Sequence, residues 1–293
     1  MNEELTRYTK TIGHFFLDED IRTVDGMYIP RWNIVLAALA DLNESNLLLI
    51  GEPGHGKTTL ARLMSCLTSE LPIDFIDHAM IKGHPDQTWE GMIARPDYGQ
   101  LNTGVEKVIW SSSMYPRRMI IDEFNRLPAG KQALFLNALQ TGRFDYLNDT
   151  FMNEGALYAT ANHQDDGNGI IIPPILDRFA LALELGWQGG SQSFSNVALR
   201  EQRIALLKNN DLTEMITKNI QATDRSKEQI KVGIRQASDQ YRKQLTKVFR
   251  DHNLYRPGDS DAQRWKEDIT KIEFTSDAQI FLVLNRSTLS PHF

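Results

Sequence analysis

The sequence GEPGHGKTTL at residues 51–60 follows an apolar run, LLLI, and opens a helical pattern. Gly51, Gly56, Lys57 and Thr58 fit the pattern G-x-x-x-x-G-K-[ST]. Glycines at these positions let successive backbone N–H groups point at phosphate oxygens, and the start of the following helix adds the positive end of its dipole. The stretch therefore predicts a phosphate-binding loop between a buried strand and a helix.

Short apolar runs along the chain alternate with helical patterns, which occupy residues 33–42, 57–67 and 129–142 among others. The runs predicted as buried strands are LLLI (47–50), IDFI (73–76), MII (119–121), LYATA (157–161) and FALALEL (179–185). Strands that alternate with helices indicate a parallel sheet covered on both faces. The predicted fold is α/β, a P-loop NTPase αβα sandwich with a five-stranded parallel sheet.

Composition and charge restrict the class of protein. The 293 residues carry a formal net charge of −6, which argues against a dedicated nucleic-acid surface. Cys66 is the one cysteine, so no internal disulfide can form, and a reducing cytoplasm fits best. The N-terminus lacks the apolar stretch of a signal peptide, and no apolar run is long enough to cross a bilayer. The prediction is a cytoplasmic protein without a membrane span.

The chain is expected to contain a leading segment (1–29), a core (30–190) and a partial helical lid domain (191–293), with WQGGSQS (187–193) as a linker. In the third segment an apolar face recurs at steps of three and four, formed by Ile230, Ile234, Ala237, Tyr241, Leu245 and Val248. Basic residues dominate the opposite side of this helix. A solvated face is favoured over a surface for nucleic acid or an acidic partner, and both interpretations stay open.

Two carboxylates follow the predicted strand in RRMIIDEFNR (117–126). Strand ends of such a sheet form the edge where ligands bind, so Asp122 and Glu123 are expected beside the phosphate loop. Asp122 suits a Mg²⁺ ligand, and Glu123 suits the base that orients an attacking water. The alternative is a strand that ends in surface acids, which the upstream loop makes less favourable.

Two further strand-linked residues can contribute to such a site. Asn162 ends the strand of LYATANH (157–163) and can hydrogen-bond a γ-phosphate or an attacking water. Arg178 in PPILDRF (173–179) precedes the last predicted strand. It can form a structural ion pair, or act on the phosphoryl group bound by a neighbouring subunit. Only the second role requires an oligomer.

Together these segments resemble the AAA+ ATPases, and their amino-acid sequences are most similar to the MoxR branch. The resemblance spans roughly residues 30–186 and is carried by GEPGHGKTTLA, IIDEFNRLPAGKQALFLNALQTG, ATANHQD and IIPPILDRF. It implies ATP and Mg²⁺ as cofactors, Thr58 and Asp122 as metal ligands, and Glu123, Asn162 and Arg178 as catalytic glutamate, sensor 1 and arginine finger. It also implies nucleotide contacts from Gly51, Glu52, Pro53, Gly54, His55, Gly56, Lys57, Thr58 and Thr59.

The chain departs from the family pattern in two places. His55 stands where a small hydroxyl residue is usual, so its imidazole must point away from the phosphates or contact the nucleotide. The sensor 2 arginine expected in the helical lid has no convincing candidate. The sequence ends at LNRSTLSPHF, where the lid is expected to be incomplete, so either the lid is reduced or a later segment is missing.

A long insertion near residues 82–118 exceeds an ordinary connection between a strand and a helix. It resembles the position where AAA+ rings carry pore loops and where the MoxR branch adds a hairpin within helix 2. An exposed Trp89 or Tyr98 there would contact a client, whereas buried aromatics would pack the insertion onto the core. The sequence leaves both alternatives open.

The leading hypothesis is an ATP-hydrolysing remodeller that assembles as a homo-oligomer, as a hexameric ring, and acts on a protein client complex. A nucleic-acid motor is the second hypothesis, supported by the basic helix and lowered by the net charge. A weakly hydrolysing scaffold is the third, supported by His55 and the incomplete lid and opposed by Glu123.

Overall fold

The computed structural model describes residues 3–16, 21–22, 28–29, 32–101, 107–153, 155–163, 169–185, 194–222 and 224–255. The predicted linker and the chain after residue 255 lie outside these ranges. The α-helices are α1 (Glu3–Phe16), α2 (Trp32–Leu42), α3 (Lys57–Ser69), α4 (Ile73–Ala79), α5 (Trp89–Met92), α6 (Tyr98–Leu101), α7 (Ala129–Thr141), α8 (Pro173–Leu176), α9 (Phe194–Ala205), α10 (Asn210–Gln221) and α11 (Lys227–Asp251). Short 3₁₀ turns occupy Ser112–Met114 and Phe124–Arg126.

The strands pair into one central sheet and three small ribbons. They are β1 (Ile21–Arg22), β2 (Tyr28–Ile29), β3 (Leu47–Ile50), β4 (Ile81–Lys82), β5 (Ala94–Pro96), β6 (Val108–Trp110), β7 (Arg118–Asp122), β8 (Arg143–Tyr146), β9 (Asp149–Met152), β10 (Ala156–Ala161) and β11 (Leu181–Glu184). The central sheet has five parallel strands in the order β11-β3-β10-β7-β4. This confirms the predicted αβα sandwich.

The sheet is buried on both faces because the side chains on both sides of its strands are apolar. Leu47 and Leu49 of β3 face a cluster built with α1 to α4, α10 and α11, whereas Leu48 and Ile50 face a second cluster built with α7, α8 and the insertion. An unbroken apolar run therefore predicts such a strand better than an alternating pattern does. The helices predicted at 33–42, 57–67 and 129–142 are confirmed as α2, α3 and α7.

The prediction of a strand at IDFI (73–76) is wrong, because these residues open α4. Ile73, Ile76 and Ala79 are buried at steps of three, which is a helical spacing that a four-residue window hides. Asp74 in the first turn favours the helix by its position near the positive end of the dipole. The remaining strand of the sheet follows immediately as β4, which pairs with β7.

A buried polar cluster fixes the sheet against α1, α2 and α3. The Asp41 carboxylate accepts hydrogen bonds from Tyr8 (2.8 Å), Thr68 (2.7 Å), Tyr158 (2.6 Å) and Arg118 Nε (2.8 Å). Asp41 and Arg118 are 3% and 2% exposed. Arg118 belongs to β7 and Tyr158 to β10, so the cluster holds together the two strands whose ends carry the predicted catalytic residues.

The insertion near 82–118 contains an antiparallel hairpin of β5 and β6. The two aromatic residues singled out from the sequence differ: Trp89 packs edge-on to Phe135 with centroids 5.3 Å apart, whereas Tyr98 is 62% exposed. A second hairpin, β8 and β9, was not predicted and lies beside the first, since Trp110 Nε1 of β6 donates a hydrogen bond to Asp149 of β9 at 2.7 Å.

The long helix α11 packs its apolar stripe against the rest of the molecule, as favoured from the sequence. Its buried residues are Ile230, Ile234, Ala237, Tyr241, Leu245 and Phe249. Arg242 forms a forked ion pair with Glu70 at the end of α3, with Nη2 2.6 Å from Oε2. Within the described residues, no helix is long and apolar enough to span a membrane.

Candidate active site

The phosphate loop joins the end of β3 to the start of α3, as the motif requires. Gly56 precedes the helix with φ 81° and ψ 12°, a left-handed conformation that favours glycine. At Gly51 a Cβ atom would lie 2.3 Å from the Leu185 carbonyl oxygen, so the loop needs glycine to pass the end of β11. Sequence and local geometry therefore agree on a glycine-dependent loop between β3 and α3, the arrangement that binds phosphate at a helix N-terminus.

Lys57 is buried at the base of this loop. Its Nζ donates hydrogen bonds to the carbonyl oxygens of Gly51 (2.7 Å) and Glu52 (2.8 Å). Burial lowers the pKa of Lys57, and the carboxylates of Asp122, Glu52 and Glu123 act in the opposite direction. The ammonium is thus held inside the loop, within the field of the carboxylates that follow β7.

Asp122 is the centre of a hydrogen-bonded group that joins three elements. Its Oδ1 accepts from Thr58 Oγ1 at 2.6 Å and from Thr160 Oγ1 at 2.7 Å. Thr58 lies at the start of α3 and Thr160 lies in β10, which pairs with β7. The predicted metal ligands Thr58 and Asp122 are therefore in direct contact, with oxygen atoms of the kind that Mg²⁺ prefers.

Glu123 follows Asp122 in a left-handed conformation, with φ 55° and ψ 47°. Its backbone N–H donates to Thr160 Oγ1 at 2.9 Å, and its carboxylate accepts from Asn162 Nδ2 at 3.3 Å. Arg126 Nη1 lies 3.1 Å from the other carboxylate oxygen. The structure therefore brings the predicted Glu123 and Asn162 together and adds Arg126, which the sequence analysis did not assign.

Asn125 supports the end of β10 from below the site. Its Nδ2 donates to the Asn162 carbonyl oxygen at 3.1 Å, and its own carbonyl oxygen accepts from Gly169 at 2.9 Å. Asn125 is almost fully buried, so this contact is protected from water. It orients the strand end that presents the Asn162 side chain to Glu123.

Comparison with known proteins addresses the family directly. The family model for the AAA domain (dynein-related subfamily) matches residues 46–179. These residues form an AAA+ ATPase domain. No curated protein matches the chain. A crystal structure of a "putative ATPase" from Cytophaga hutchinsonii is similar at 20% sequence identity and a TM-score of 0.46, covering 69% of this chain. The chain spans 58% of that protein's length.

The residues of the AAA+ domain fit a magnesium nucleotide. Glu52, Pro53 and Gly54 are exposed, and a Cβ atom at Gly54 would meet nothing within 4 Å, so the outer side of the loop is open to a ligand. Lys57 and the first turn of α3 supply positive charge for phosphates. Thr58 and Asp122 are the residues that would hold the cation. Thr59 is half-buried in the same first turn.

His55 points away from the outer side of the loop. Its Nδ1 lies 3.0 Å from the Leu185 carbonyl oxygen, a contact in which the ring nitrogen donates. This contact fits the first of the two alternatives drawn from the sequence, an imidazole that points away from the phosphates. The imidazole joins the phosphate loop to the end of β11, so it replaces a small hydroxyl residue without entering the loop.

Arg178 lies at the opposite end of the strands from the phosphate loop. It precedes β11, which runs parallel to β3 with Leu181 beside Leu47, whereas the loop follows Ile50. Four strand residues at about 3.3 Å each separate the two ends of the strand by about 13 Å. Arg178 is half-buried, and its Nε has no hydrogen-bond partner. Arg178 therefore does not join the site formed by Glu123 and Asn162 of its own subunit.

Sequence reasoning missed two side chains that the fold brings to the candidate site. Thr160 is hidden in an apolar strand, where its hydroxyl gives no periodic signal. Arg200 lies in α9, about 140 residues from the loop, yet its Nη1 is 3.8 Å from the position of a Cβ atom on Gly56. Only the fold brings that guanidinium to the loop, so no local pattern could have indicated it.

Proposed function

We propose that this chain is an ATP-hydrolysing AAA+ protein of the MoxR-like type, whose subunits assemble as a hexameric ring and remodel a protein complex. The observation that supports hydrolysis best is the group formed by Asp122, Thr58 and Thr160, with Glu123 held beside it by Asn162. A phosphate loop by itself is equally compatible with a nucleotide switch, a kinase or a motor. An added carboxylate with a polar partner at the same edge favours activation of water.

Each residue has a distinct role in this proposal. Lys57 and the loop N–H groups bind the β- and γ-phosphates, and Thr58 with Asp122 holds Mg²⁺. The cation neutralises phosphate charge when bound. Glu123 accepts a hydrogen bond from the attacking water and orients it. Asn162 restrains the Glu123 carboxylate from the neighbouring strand and lies close enough to contact the same water.

The location of Arg178 supports the oligomer. A guanidinium at the far edge of the sheet cannot reach its own phosphate loop, but it can reach the loop of an adjacent subunit packed against that edge. An arginine supplied in this way stabilises charge on the transferred phosphoryl group. The proposed ring thus completes every active site with a residue from the next subunit.

A protein client is favoured by the hairpins on the insertion side of the domain. Tyr98 and Leu147 are 62% and 56% exposed, and large apolar side chains on hairpins provide contact area for another protein. The nucleic-acid motor rests on the exposed basic residues of α11, which include Arg235, Lys243, Lys247 and Arg250. That alternative predicts steeply salt-dependent binding to DNA or RNA.

A complementation experiment tests the shared active site. Glu123→Gln and Arg178→Ala should each bind ATP and each release little phosphate when assayed alone. Mixed together, they should recover turnover, because Arg178 of one subunit can serve the intact Glu123 site of the other. Glu214→Gln, at an exposed position of α10, is the matched control and should retain full activity. Full turnover by Arg178→Ala alone would exclude the role in a neighbouring site.

Capture by the Glu123→Gln variant tests the client. The variant is incubated with extract of its native host, ATP and Mg²⁺, with and without nuclease. Recovery of one protein complex that resists nuclease supports the remodeller. Recovery dominated by nucleic acid favours the motor. A wild-type chain that neither binds nor hydrolyses ATP, alone or with these partners, would refute both.

A further inference from the structure

Arg200 lies outside the residues that match the family model, yet its side chain reaches the phosphate loop. Its Nη1 is 3.8 Å from the position that a Cβ atom on Gly56 would take. Gly56 directly precedes Lys57 and the first turn of α3, where the helix dipole is positive. A second cation from a different helix is therefore placed beside a loop that already favours anions.

Among the residues that the structure describes, the charge of Arg200 has no partner. Its Nε is buried without a hydrogen bond, and Arg200 forms no ion pair with any of those residues. A partly buried guanidinium without an acceptor is unfavourable, because it loses water and gains no partner. Lys57 and the start of α3 add to the same positive charge. A bound anion at the loop would relieve this imbalance.

Two contacts place α9 and α1 beside the phosphate loop. One turn along α9, Arg203 donates from Nη1 to the carbonyl oxygen of His14 at 2.7 Å. Phe16, at the end of the same helix α1, packs on the phosphate loop, with ring atoms 2.8 Å from the Cβ position of Gly56. Helix α1 thus connects α9 to the loop. The guanidinium therefore extends from a helix that is packed against α1.

We propose that Arg200 binds the phosphate groups of the nucleotide and so contributes a cation from the helical region to the site. This proposal rests on the proposed function, since it concerns the same ATP site. The guanidinium comes from α9, the first described helix after β11. Contact between Arg200 and phosphate would make the docking of α9 depend on the bound nucleotide.

The test measures binding without turnover. Glu123→Gln serves as the background, and the affinities for ATP and ADP are determined with a fluorescent analogue and competition. Arg200→Ala should weaken ATP binding about 10- to 100-fold, and Arg200→Lys should weaken it less because the charge remains. Arg235→Ala, which removes an exposed arginine of α11, is the matched control and should bind as the background does.

A second readout separates binding from a structural defect. ATP should raise the melting temperature of the background protein, and Arg200→Ala should lose most of that increase while its melting temperature without nucleotide changes little. Unchanged ATP affinity and an unchanged ATP-induced increase in Arg200→Ala would overturn the proposal for Arg200 alone. Failure of the unsubstituted protein to bind ATP would instead overturn the proposed function.

Discussion

Thr160→Val is the substitution that probes the site most specifically. Valine keeps the β-branched shape and the strand conformation, but it removes the hydroxyl that connects the two acidic residues. Thr160 Oγ1 donates to Asp122 at 2.7 Å and accepts from the Glu123 N–H at 2.9 Å. A single atom is therefore responsible for both contacts, and Thr160 is 1% exposed, so water cannot replace it.

The expected cost follows from the two lost hydrogen bonds. A bond to a charged group contributes about 1.5–3 kcal/mol, and a buried N–H without a partner costs about 1–3 kcal/mol. Because the two contacts share one atom and are not independent, we expect a loss of about 2–4 kcal/mol in the free energy of unfolding. Release of the Glu123 backbone should also lower kcat by about 10- to 100-fold, which corresponds to about 1.4–2.8 kcal/mol in the barrier.

The assay combines urea unfolding with phosphate release at saturating ATP. Thr160→Ser retains the hydroxyl and should remain within about 1 kcal/mol of wild type in stability and within a few-fold in turnover, because only a methyl group is lost. Thr160→Val should show both defects. If the valine variant matches the serine variant in stability and in kcat, then the hydroxyl does not position Glu123 and the reasoning is wrong.

Two further substitutions test features outside the site. Asp41→Ala should lower the free energy of unfolding by about 3–5 kcal/mol in denaturant titration, because it leaves the buried Arg118 without its carboxylate partner. The control Glu214→Ala removes one member of an exposed ion pair and should cost under about 0.5 kcal/mol, so equal losses in the two variants would contradict a stabilising role for the buried pair. Burial, Arg203 and His252 lower the pKa of His14 to about 4, below its ordinary value of about 6.5, so the unfolded chain binds this proton first as pH falls. Stability should therefore drop between pH 6.5 and pH 4, and His14→Gln should reduce that slope, whereas an unchanged slope would contradict the assignment.

The sequence located those parts of the candidate site whose pattern is local. A phosphate loop and a strand that ends in Asp122 and Glu123 each fit within ten residues, so their signals survive without the fold. The prediction of a strand at IDFI was wrong because four residues are too few to distinguish a helical spacing from an apolar run. The hairpin of β8 and β9 carries alternating Phe144 and Tyr146 before a turn at Leu147 and Asn148, which is a signal that a closer search for period two would have found.

Long-range contacts were beyond such reasoning. Arg200 reaches the loop because α9 docks on α1, and both helices lie outside the matched domain. Hydroxyl and amide groups within strands also give no sequence pattern that predicts their contacts, since Thr160 acquires its role only when β10 pairs with β7. The residue types of an active site can therefore be predicted along the chain, whereas the partners that orient them depend on the completed sheet.

The backbone of Glu123 shows how strongly the fold determines this orientation. A left-handed conformation at a non-glycine residue costs about 1–3 kcal/mol, and it persists only where surrounding contacts favour it. Besides the bond to Thr160, the Glu123 carbonyl oxygen accepts from Arg126 N–H at 2.9 Å. Gly83 passes so close that a Cβ atom there would lie 2.1 Å from the same oxygen, while its N–H donates to Asp122 at 2.7 Å. A side chain at residue 83 would displace the peptide that presents Glu123, so the glycine that directly follows the edge strand β4 contributes to the site because it has no side chain.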